Sequence, residues 1–459
     1  MTMPRCCGAG LLAILLALLL AQPACAELRI ELEDGRVFVL PFERREVRRI
    51  WFDGVAIDPE EGQPPIRLDA DRGTSAPGEA VDPVVAAAEP AQAKRPRGRV
   101  LRVGPNEAFR LPSQAAAEAR DGDTVEILPG TYRDVAIWRA SRLTIRGVGG
   151  RPVIDAGGRG AGEKAVWVVA GRQVLIENVE LTGARVPDRN GAGIRAEGRD
   201  LTLREVVIRG NEMGILSAVD FAGELRIERS QFYANILPDW EEAGVPPGHN
   251  IYVNGADRFV LIGSWIRGAV DGHNVKSRAK QNRILYNRIE DLPGAASSYL
   301  VDIAEGAPTL LLGNLLIEGA ESPNRTVVAM AAERGGERAE LVMAFNTVVT
   351  PSADTVVVFN HGTRPARLVA DLVVGPGVLA RGPFENVANR LGPALRLVDP
   401  KKDDFRPVPG SAAIDAAPAE PGRWRGIGLE PLWSYRHPAG LERREKRGRA
   451  YDLGAFEGG

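Results

Sequence analysis

A short segment that could carry chemistry occurs twice, 24 residues apart. Residues 248–252 are Gly-His-Asn-Ile-Tyr, and residues 272–276 are Gly-His-Asn-Val-Lys. The second copy ends in a lysine, although only 7 of the 58 basic residues of the chain are lysines. A lysine can lose its proton and act as a general base where burial or nearby cations disfavour its charge, whereas an arginine keeps its proton. Lys276 is therefore the first candidate for proton abstraction.

The alternation of side chains along a strand places further polar residues on the same face as Lys276. If Ile251 and Val275 point inward, the residues on either side of them point outward, and one repeat later Asp302 does the same. The predicted outer face holds Asn250, Tyr252, Asn274, Lys276, Arg278 and Asp302, beside an insertion at 237–247 that contains Trp240. Such a face suits an extended polymer. The residues expected to contact the polymer are Arg278, Tyr252, Asn250, Asn274, His249 and Trp240.

These residues lie within a longer series of repeats that predicts the fold. An apolar residue recurs at intervals of 23 to 34 residues, and alternating apolar positions precede each copy, which indicates strands. The recurring anchors are Leu181, Ile208, Phe232, Ile266, Ile289, Leu316, Val348 and Val373. We predict an all-β chain that forms a parallel β-helix, a solenoid whose crossovers are right-handed.

A small polar residue recurs two positions before several of these anchors. It can hydrogen-bond the turn backbone, and stacked copies would form a ladder along the solenoid. The residues of this predicted ladder are Ser230, Ser264, Asn287, Asn314, Asn346 and Asp371.

The remaining sequence divides into segments of different composition. Residues 1–26 predict a signal peptide, since a basic residue and a ten-residue apolar run at 11–20 precede Ala24-Cys25-Ala26. We further predict a small β unit at 27–56, a flexible linker at 57–98, the β-helix at 99–400 and a C-terminal capping segment at 401–459. The chain is thus expected to be exported to the periplasm or the exterior, without a membrane span.

The positions of the cysteines and the balance of charges exclude several classes of function. All three cysteines lie within the predicted signal peptide, so the exported chain would have no disulfide and no thiolate. An alternative is a lipoprotein acylated on Cys25, which is less favoured because Gln22 stands where an aliphatic residue is expected. With 58 basic and 60 acidic residues, the chain lacks the bulk positive charge of a nucleic-acid binder. We expect a monomer.

One stretch resembles a known family. Lys276-Ser277, Asn282 and Asn287 are similar to the Lys-Ser…Asn…Asn stretch of the alginate lyase and chondroitinase B branch of polysaccharide lyases, over about 45 residues of a pectate-lyase-like solenoid. The resemblance implies that Lys276 removes the C5 proton of a uronic acid in a β-elimination. It also implies that Ca²⁺ or an arginine neutralises the sugar carboxylate, with Asp302 and Asn274 as candidate calcium ligands.

The sequence departs from this family at one catalytic position. The family has an Arg-His pair about one coil after the lysine, and its arginine is the proposed acid. The equivalent segment here, 297–302, contains no arginine. Either Tyr299 or His273 replaces it as the acid, or the chain does not catalyse this reaction.

Two other functions remain open from the sequence. The protein could be a non-catalytic carbohydrate-binding or cell-envelope structural β-helix, with Lys276 simply paired to Asp302. A glycoside hydrolase is the third alternative, because neighbouring coils carry several carboxylates. Its candidates are Glu290, Asp291, Asp302 and Glu305.

Overall fold

A computed structural model of the chain describes four short strands between residues 26 and 57, and residues 98–458 apart from 295, 335, 393 and 394. The chain divides into two compact units, 1–80 and 81–459. In the first unit, β1 (Ala26–Glu31) pairs antiparallel with β2 (Val37–Phe42), and β3 (Ile50–Phe52) with β4 (Val55–Ile57). These hairpins occupy the predicted β unit. Of the predicted signal peptide only Ala26 is described, and of the predicted linker only Ile57 and Gly98. The rest of both segments lies outside the described residues.

The second unit is built from three long parallel sheets, with strands numbered in chain order. Sheet A contains β5 (Val100–Val103), β6 (Thr124–Ile127), β9 (Thr144–Gly147), β12 (Arg172–Glu177), β15 (Arg199–Arg204), β18 (Ala222–Glu228), β21 (Arg258–Ile262), β24 (Asn282–Leu285), β27 (Thr309–Leu312), β30 (Leu341–Ala344), β33 (Ala366–Val369) and β36 (Phe384–Val387). Sheet B contains β7 (Thr131–Arg133), β10 (Val153–Asp155), β13 (Glu180–Thr182), β16 (Val207–Arg209), β19 (Gln231–Tyr233), β22 (Trp265–Arg267), β25 (Arg288–Glu290), β28 (Leu315–Ile317), β31 (Thr347–Val349), β34 (Leu372–Val374) and β37 (Arg390–Gly392).

Sheet C completes each coil. It contains β8 (Ala136–Trp138), β11 (Ala165–Val169), β14 (Ala192–Ala196), β17 (Met213–Ser217), β20 (Ile251–Val253), β23 (His273–Ser277), β26 (Tyr299–Ile303), β29 (Thr326–Met330), β32 (Val356–Asn360) and β35 (Val378–Arg381). A coil such as residues 258–277 gives one strand to each sheet in turn, and every strand pairs with its counterparts in the neighbouring coils. The predicted right-handed parallel β-helix is confirmed.

The interior of the coils is a continuous apolar core. In sheet B, Leu181 is the register partner of Ile208, and Ile266, Ile289 and Leu316 follow in the same inward row. All five of these predicted core residues are fully buried. The helix α1 (Pro112–Glu118) packs Ala115 against the first coil, and a second short helix, α2 (Trp240–Ala243), lies in the insertion after β19.

The predicted ladder forms at the corner between sheets A and B. The side-chain amide of Asn287 donates to Asn314 Oδ1 at 3.0 Å, Asn314 donates to Asn346 Oδ1 at 2.8 Å, and Asn346 donates to Asp371 Oδ1 at 2.9 Å. The residue before each of them has a left-handed backbone, as at Phe345 with φ 54°. The ladder therefore holds a tight turn that a non-glycine residue adopts only at a conformational cost.

The C-terminal segment differs from its expected position. It forms three antiparallel hairpins, β38 (Leu397–Asp399) with β39 (Asp404–Pro407), β40 (Arg423–Trp424) with β41 (Ile427–Gly428), and β42 (Trp433–Arg436) with β43 (Gly440–Arg443), and a 3₁₀ turn, Pro400–Lys402. Its residues Trp424 and Leu453 belong to one buried apolar cluster with Leu285 and Leu312, which lie on the outer side of sheet A. The segment thus covers a flank of the solenoid, whereas a cap over the last coil was expected. The segment lies there because the outer side of sheet A is apolar in these coils, and an apolar surface of this kind is stabilised by being covered.

Among the described residues, no helix is long and apolar enough to cross a membrane.

Candidate functional site

Three neighbouring strands of sheet C place Tyr252, Lys276 and Asp302 in one outward row. Their Cα atoms are register partners in β20, β23 and β26, and adjacent strands of a sheet lie about 4.8 Å apart. Lys276 Nζ lies 5.6 Å from the centre of the Tyr252 ring, and the guanidinium carbon of Arg278 lies 5.2 Å from the same ring centre. The structure thus brings these four residues together on the face where strand alternation predicts them.

Lys276 is held by carboxylates from two later coils. Its Nζ donates to Glu333 Oε1 at 2.5 Å and lies 3.5 Å from Asp302 Oδ2, and the residue is only 9% exposed. Arg278 donates to the other oxygen of Glu333, Oε2, also at 2.5 Å. One carboxylate therefore bridges the two cations of the site. Lys276 can act as a base only after this ion pair opens and its ammonium loses a proton.

Glu333 is the residue of the candidate site that sequence reasoning missed. It lies 57 residues after Lys276, in the connection between β29 and β30, which has no repeat pattern. Burial alone would raise the pKa of Glu333, but the hydrogen bonds from Lys276 and Arg278 outweigh it and hold the pKa below its ordinary value. The only available signal was the long interval of 32 residues between Leu316 and Val348, which marks an insertion.

Three rings from successive coils form a stack beside Lys276. His273 lies between His249 and Tyr299, with ring centres 4.9 and 5.1 Å away and planes tilted by 14° and 21°. The backbone N–H of His273 donates to His249 Nδ1 at 2.9 Å. Since His249 is only 5% exposed, its ring supports His273 and Tyr252 from beneath and offers little surface to a ligand.

The two histidines of the stack are uncharged at neutral pH. Burial lowers the pKa of His273 to about 3, with the nearby charge of Lys276 acting in the same direction. Burial also lowers the pKa of His249 well below its ordinary value. His273 Nε2 lies 3.4 Å from Asp302 Oδ2, but there is no imidazolium to donate a proton. His273 is therefore poorly suited to the role of catalytic acid.

Tyr299 is better suited to that role. Burial raises the pKa of its phenol, and the charge of Asp302 raises it further, so the hydroxyl keeps its proton. Asp302 itself is almost fully buried, and burial raises the pKa of its carboxyl to about 6 despite the neighbouring Lys276. The site thus combines a lysine and a protonated phenol on neighbouring strands.

The outward placement predicted for Asn250 and Asn274 is wrong. Both side chains are fully buried, and they belong to a second ladder at the corner between sheets B and C. Asn250 accepts a hydrogen bond from Asn235 at 2.9 Å and donates to Asn274 Oδ1 at 2.9 Å, and Asn274 donates to Asp291 Oδ1 at 3.2 Å. Both asparagines lie at the corner where a strand of sheet C begins. The alternation of inward and outward side chains along the strand does not hold at this corner. Neither can contact a ligand on the outer face.

The predicted calcium ligands do not fit a calcium ion. The amide oxygen of Asn274 accepts hydrogen bonds inside the ladder, so Asp302 is the one predicted ligand that remains. Its carboxylate faces Lys276 and His273, whereas calcium takes six to eight oxygen ligands. Across the described part of the chain, no group of three His, Cys, Asp or Glu side chains could hold a metal ion.

Trp240 lies beside the coil that carries His273. Its indole N–H, on helix α2, donates to Asp271 Oδ2 at 3.1 Å, two residues before β23 begins. Arg189 pairs with Asp239 at the start of the same helix. The insertion therefore stands next to the site, as expected, with the tryptophan partly exposed.

Of the four carboxylates considered for hydrolysis, two lie at the site and each faces a cation there. Glu290 accepts hydrogen bonds from Arg288 and from the indole of Trp265 on the outer side of sheet B. Asp291 caps the second ladder and receives the backbone N–H groups of Ser297 and Gly319. Only Asp302 and Glu305 lie near Lys276 and Arg278. The arrangement gives no support to a two-carboxylate hydrolase.

Two solved structures are similar to this chain. Pectate lyase Pel9A superposes with a TM-score of 0.56 at 15% identity, covering 79% of this chain and 97% of the lyase. An alginate lyase from Paenibacillus sp. str. FPU-7 has a TM-score of 0.44 at 18% identity, covering 60% of this chain and 96% of its own. No protein-family model matches the sequence, and no curated protein matches it. At these identities, the similarity to the pectate lyase shows a common β-helix fold and nothing about chemistry.

Proposed function

We propose that the chain is an exported protein that binds an acidic polysaccharide on the outer face of sheet C and cleaves it by β-elimination. The observation that carries the proposal is the placement of Lys276 and Arg278 beside Tyr252 on a rigid strand face, with Tyr299 on the next strand stacked on His273. The reaction requires a base, a cation that stabilises the sugar carboxylate, and an acid. A lysine released from its ion pair, a fixed arginine and a protonated phenol can take these roles. The pectate lyase of the same fold makes a uronic-acid polymer the first substrate class to test.

Each group has a defined task in the proposed reaction. Lys276 first passes its ammonium proton to Asp302, 3.5 Å away, and as a neutral amine removes the proton from C5 of a uronic acid. Arg278 stabilises the negative charge that develops on the sugar carboxylate. The electron pair of the broken C5–H bond forms a double bond between C4 and C5, and the bond between C4 and the glycosidic oxygen breaks. Tyr299 donates its proton to the departing oxygen. His273 and His249 position Tyr299 through the ring stack.

One observation favours a second candidate, a protein that binds acidic glycans without cleaving them. Lys276 Nζ is engaged by Glu333 and lies near Asp302, so in the free protein it acts as an ion-pairing cation. A binding protein would use Lys276 and Arg278 only for their charge, and the rings for contact with sugar faces.

A substrate screen separates these functions. Pectate, alginate and glycosaminoglycans are incubated with the protein, and ultraviolet absorbance of the unsaturated product is recorded with methanol release from methyl-esterified pectin. Elimination predicts rising absorbance on at least one acidic polymer. Binding without any product would support the non-catalytic alternative, and methanol release without absorbance would indicate an esterase.

A further inference from the structure

The carboxylate of Glu333 lies where two cations converge on the outer face. Its Oε1 accepts from Lys276 Nζ and its Oε2 accepts from Arg278 Nη2, each at 2.5 Å. Each oxygen therefore has its own charged donor, which is the arrangement by which proteins recognise carboxylates strongly and directionally. The carboxylate of a uronic acid has the same charge and the same pair of oxygens.

The two cations have partners other than Glu333. Lys276 also lies 3.5 Å from Asp302, and Arg278 donates to Asn254 Oδ1 at 3.1 Å. Arg278 additionally lies 3.6 Å from Glu305. Both cations extend from or directly after β23, so they remain positioned when Glu333 leaves.

Glu333 itself is more exposed than the two cations. It belongs to the connection between β29 and β30, and its neighbours Ala332 and Arg334 are exposed. Its side chain is 36% exposed, against 11% for the side chain of Lys276. A competing carboxylate can therefore approach and replace it without moving a strand.

We infer that Lys276 and Arg278 form a binding site for a sugar carboxylate, and that Glu333 occupies this site in the free protein as an internal competitor. The inference rests on the proposed function and names the group of the substrate that the site selects. A uronate replaces both ion pairs of Glu333, whereas a neutral sugar breaks them without replacement. When the sugar carboxylate displaces Glu333, Arg278 keeps the contact with it, while Lys276 passes its ammonium proton to Asp302, 3.5 Å away, and as a neutral amine takes the C5 proton.

The test compares the wild-type protein with Glu333→Gln. The glutamine keeps the size of the side chain but loses its charge, so acidic sugars no longer compete with a carboxylate. Glu333→Ala should act in the same way. Glu337→Gln is the matched control, since Glu337 is an exposed glutamate on the same connection. The probes are trisaccharides of galacturonate and of mannuronate, and methyl-esterified trigalacturonate, titrated by calorimetry with initial rates recorded in parallel.

We expect Glu333→Gln to bind at least one acidic trisaccharide roughly tenfold more tightly than the wild type, the equivalent of one charge-assisted contact. Glu337→Gln should stay within about twofold for every probe, and each acidic probe should bind more tightly than the esterified probe in both proteins. Three results would each overturn the inference while leaving the proposed function standing. Glu333→Gln could bind the acidic probes no more tightly than the wild type, or Glu337→Gln could gain as much affinity as Glu333→Gln. Glu333→Gln could also lose turnover without a gain in affinity. If neither the wild type nor any variant binds an acidic probe, the proposed function fails and the inference fails with it.

Discussion

Lys276 is held by side chains from two later coils. Its own strand supplies its position, Asp302 lies one coil later, and Glu333 comes from the coil after that. Asp302 was accessible to sequence reasoning because the repeat places it in register with Lys276. Glu333 was not, because an irregular connection has no period from which its position can be deduced. The repeat thus predicts the outward row, and only the structure shows what pairs with it.

Tyr299 provides a test of the proposed acid. Tyr299→Phe keeps the ring that stacks on His273 but removes the phenolic proton, so we expect turnover to fall by about 10²- to 10⁴-fold. Affinity for the polymer should stay within a few-fold, because the ring remains. Initial rates and calorimetric affinity on the same acidic polysaccharide check both expectations.

The control for Tyr299→Phe is the same substitution at Tyr233. That residue lies in β19 on sheet B, where its ring packs 4.2 Å from the guanidinium of Arg267. Tyr233→Phe should leave turnover unchanged. Full activity in Tyr299→Phe would show that another group protonates the leaving oxygen.

The coils depend on two polar ladders, of which the sequence analysis recognised one. The ladder of Asn287, Asn314 and Asn346 recurs at a constant position relative to the apolar anchors, so its pattern was visible. The second ladder, which includes Asn250 and Asn274, coincides with the first residues of strands. There the alternation rule predicted the opposite face. Sequence reasoning therefore succeeded within strands and failed where the corner geometry takes over.

The first ladder includes one member whose charge depends on pH. Asp371 is fully buried, and burial raises the pKa of its carboxyl to about 7. Because this folded-state pKa is higher than the ordinary value of about 4, the unfolded chain loses its proton first as the pH rises. The stability that the protonated Asp371 contributes is therefore complete below about pH 4 and is lost progressively up to about pH 7.

Asp371→Asn should remove this dependence. An amide has no proton to lose and can continue the hydrogen bonds of the neighbouring asparagines. We expect the variant to gain stability over the wild type between about pH 4 and 7 and to keep a constant advantage above pH 7. Thermal unfolding across this range measures the difference, with exposed Asp220→Asn as the control. A difference that does not change with pH would contradict a raised pKa.

The inward row of sheet B tests how strongly the coils depend on one another. Ile289 is fully buried between Ile266 and Leu316 of the adjacent coils, so Ile289→Ala should lower the free energy of unfolding by about 2–5 kcal/mol. Val219→Ala, at a residue that is 76% exposed, should change it by less than about 0.5 kcal/mol. Denaturant titrations give both values. An equal effect at the two positions would be inconsistent with a stacked core.

At the scale of the whole molecule, the outer side of sheet A changes character along the solenoid. In the early coils it carries alternating charges, for instance Arg204 between Glu177 and Glu228 at 2.7 and 2.9 Å. From Ile262 onward the same outer row is apolar, and the C-terminal segment covers it. The sequence contained this change, but a repeat search compares inward anchors and does not register it. The flanking position of the C-terminal segment was missed for that reason.

The solenoid also explains why the fold was easier to predict than the site. Inward rows repeat in many coils, so the prediction of any one coil is supported by the others. The candidate site takes its residues from four neighbouring coils, and the connections beside it vary in length. The similarity to pectate lyase Pel9A supports the fold and does not bear on the reaction.

We propose that this molecule cleaves an acidic polysaccharide with Lys276 as the base. The most direct test compares the rate of unsaturated-product formation by the wild type, Lys276→Arg and Lys280→Arg. Arginine keeps the charge but cannot take up the C5 proton, so Lys276→Arg should lose at least about 10²-fold in rate while glycan affinity stays within a few-fold. Lys280, exposed and paired with Asp257 at 2.8 Å, should tolerate the change. Turnover by Lys276→Arg at the wild-type rate, or no product from the wild type on any acidic polysaccharide, would contradict the account.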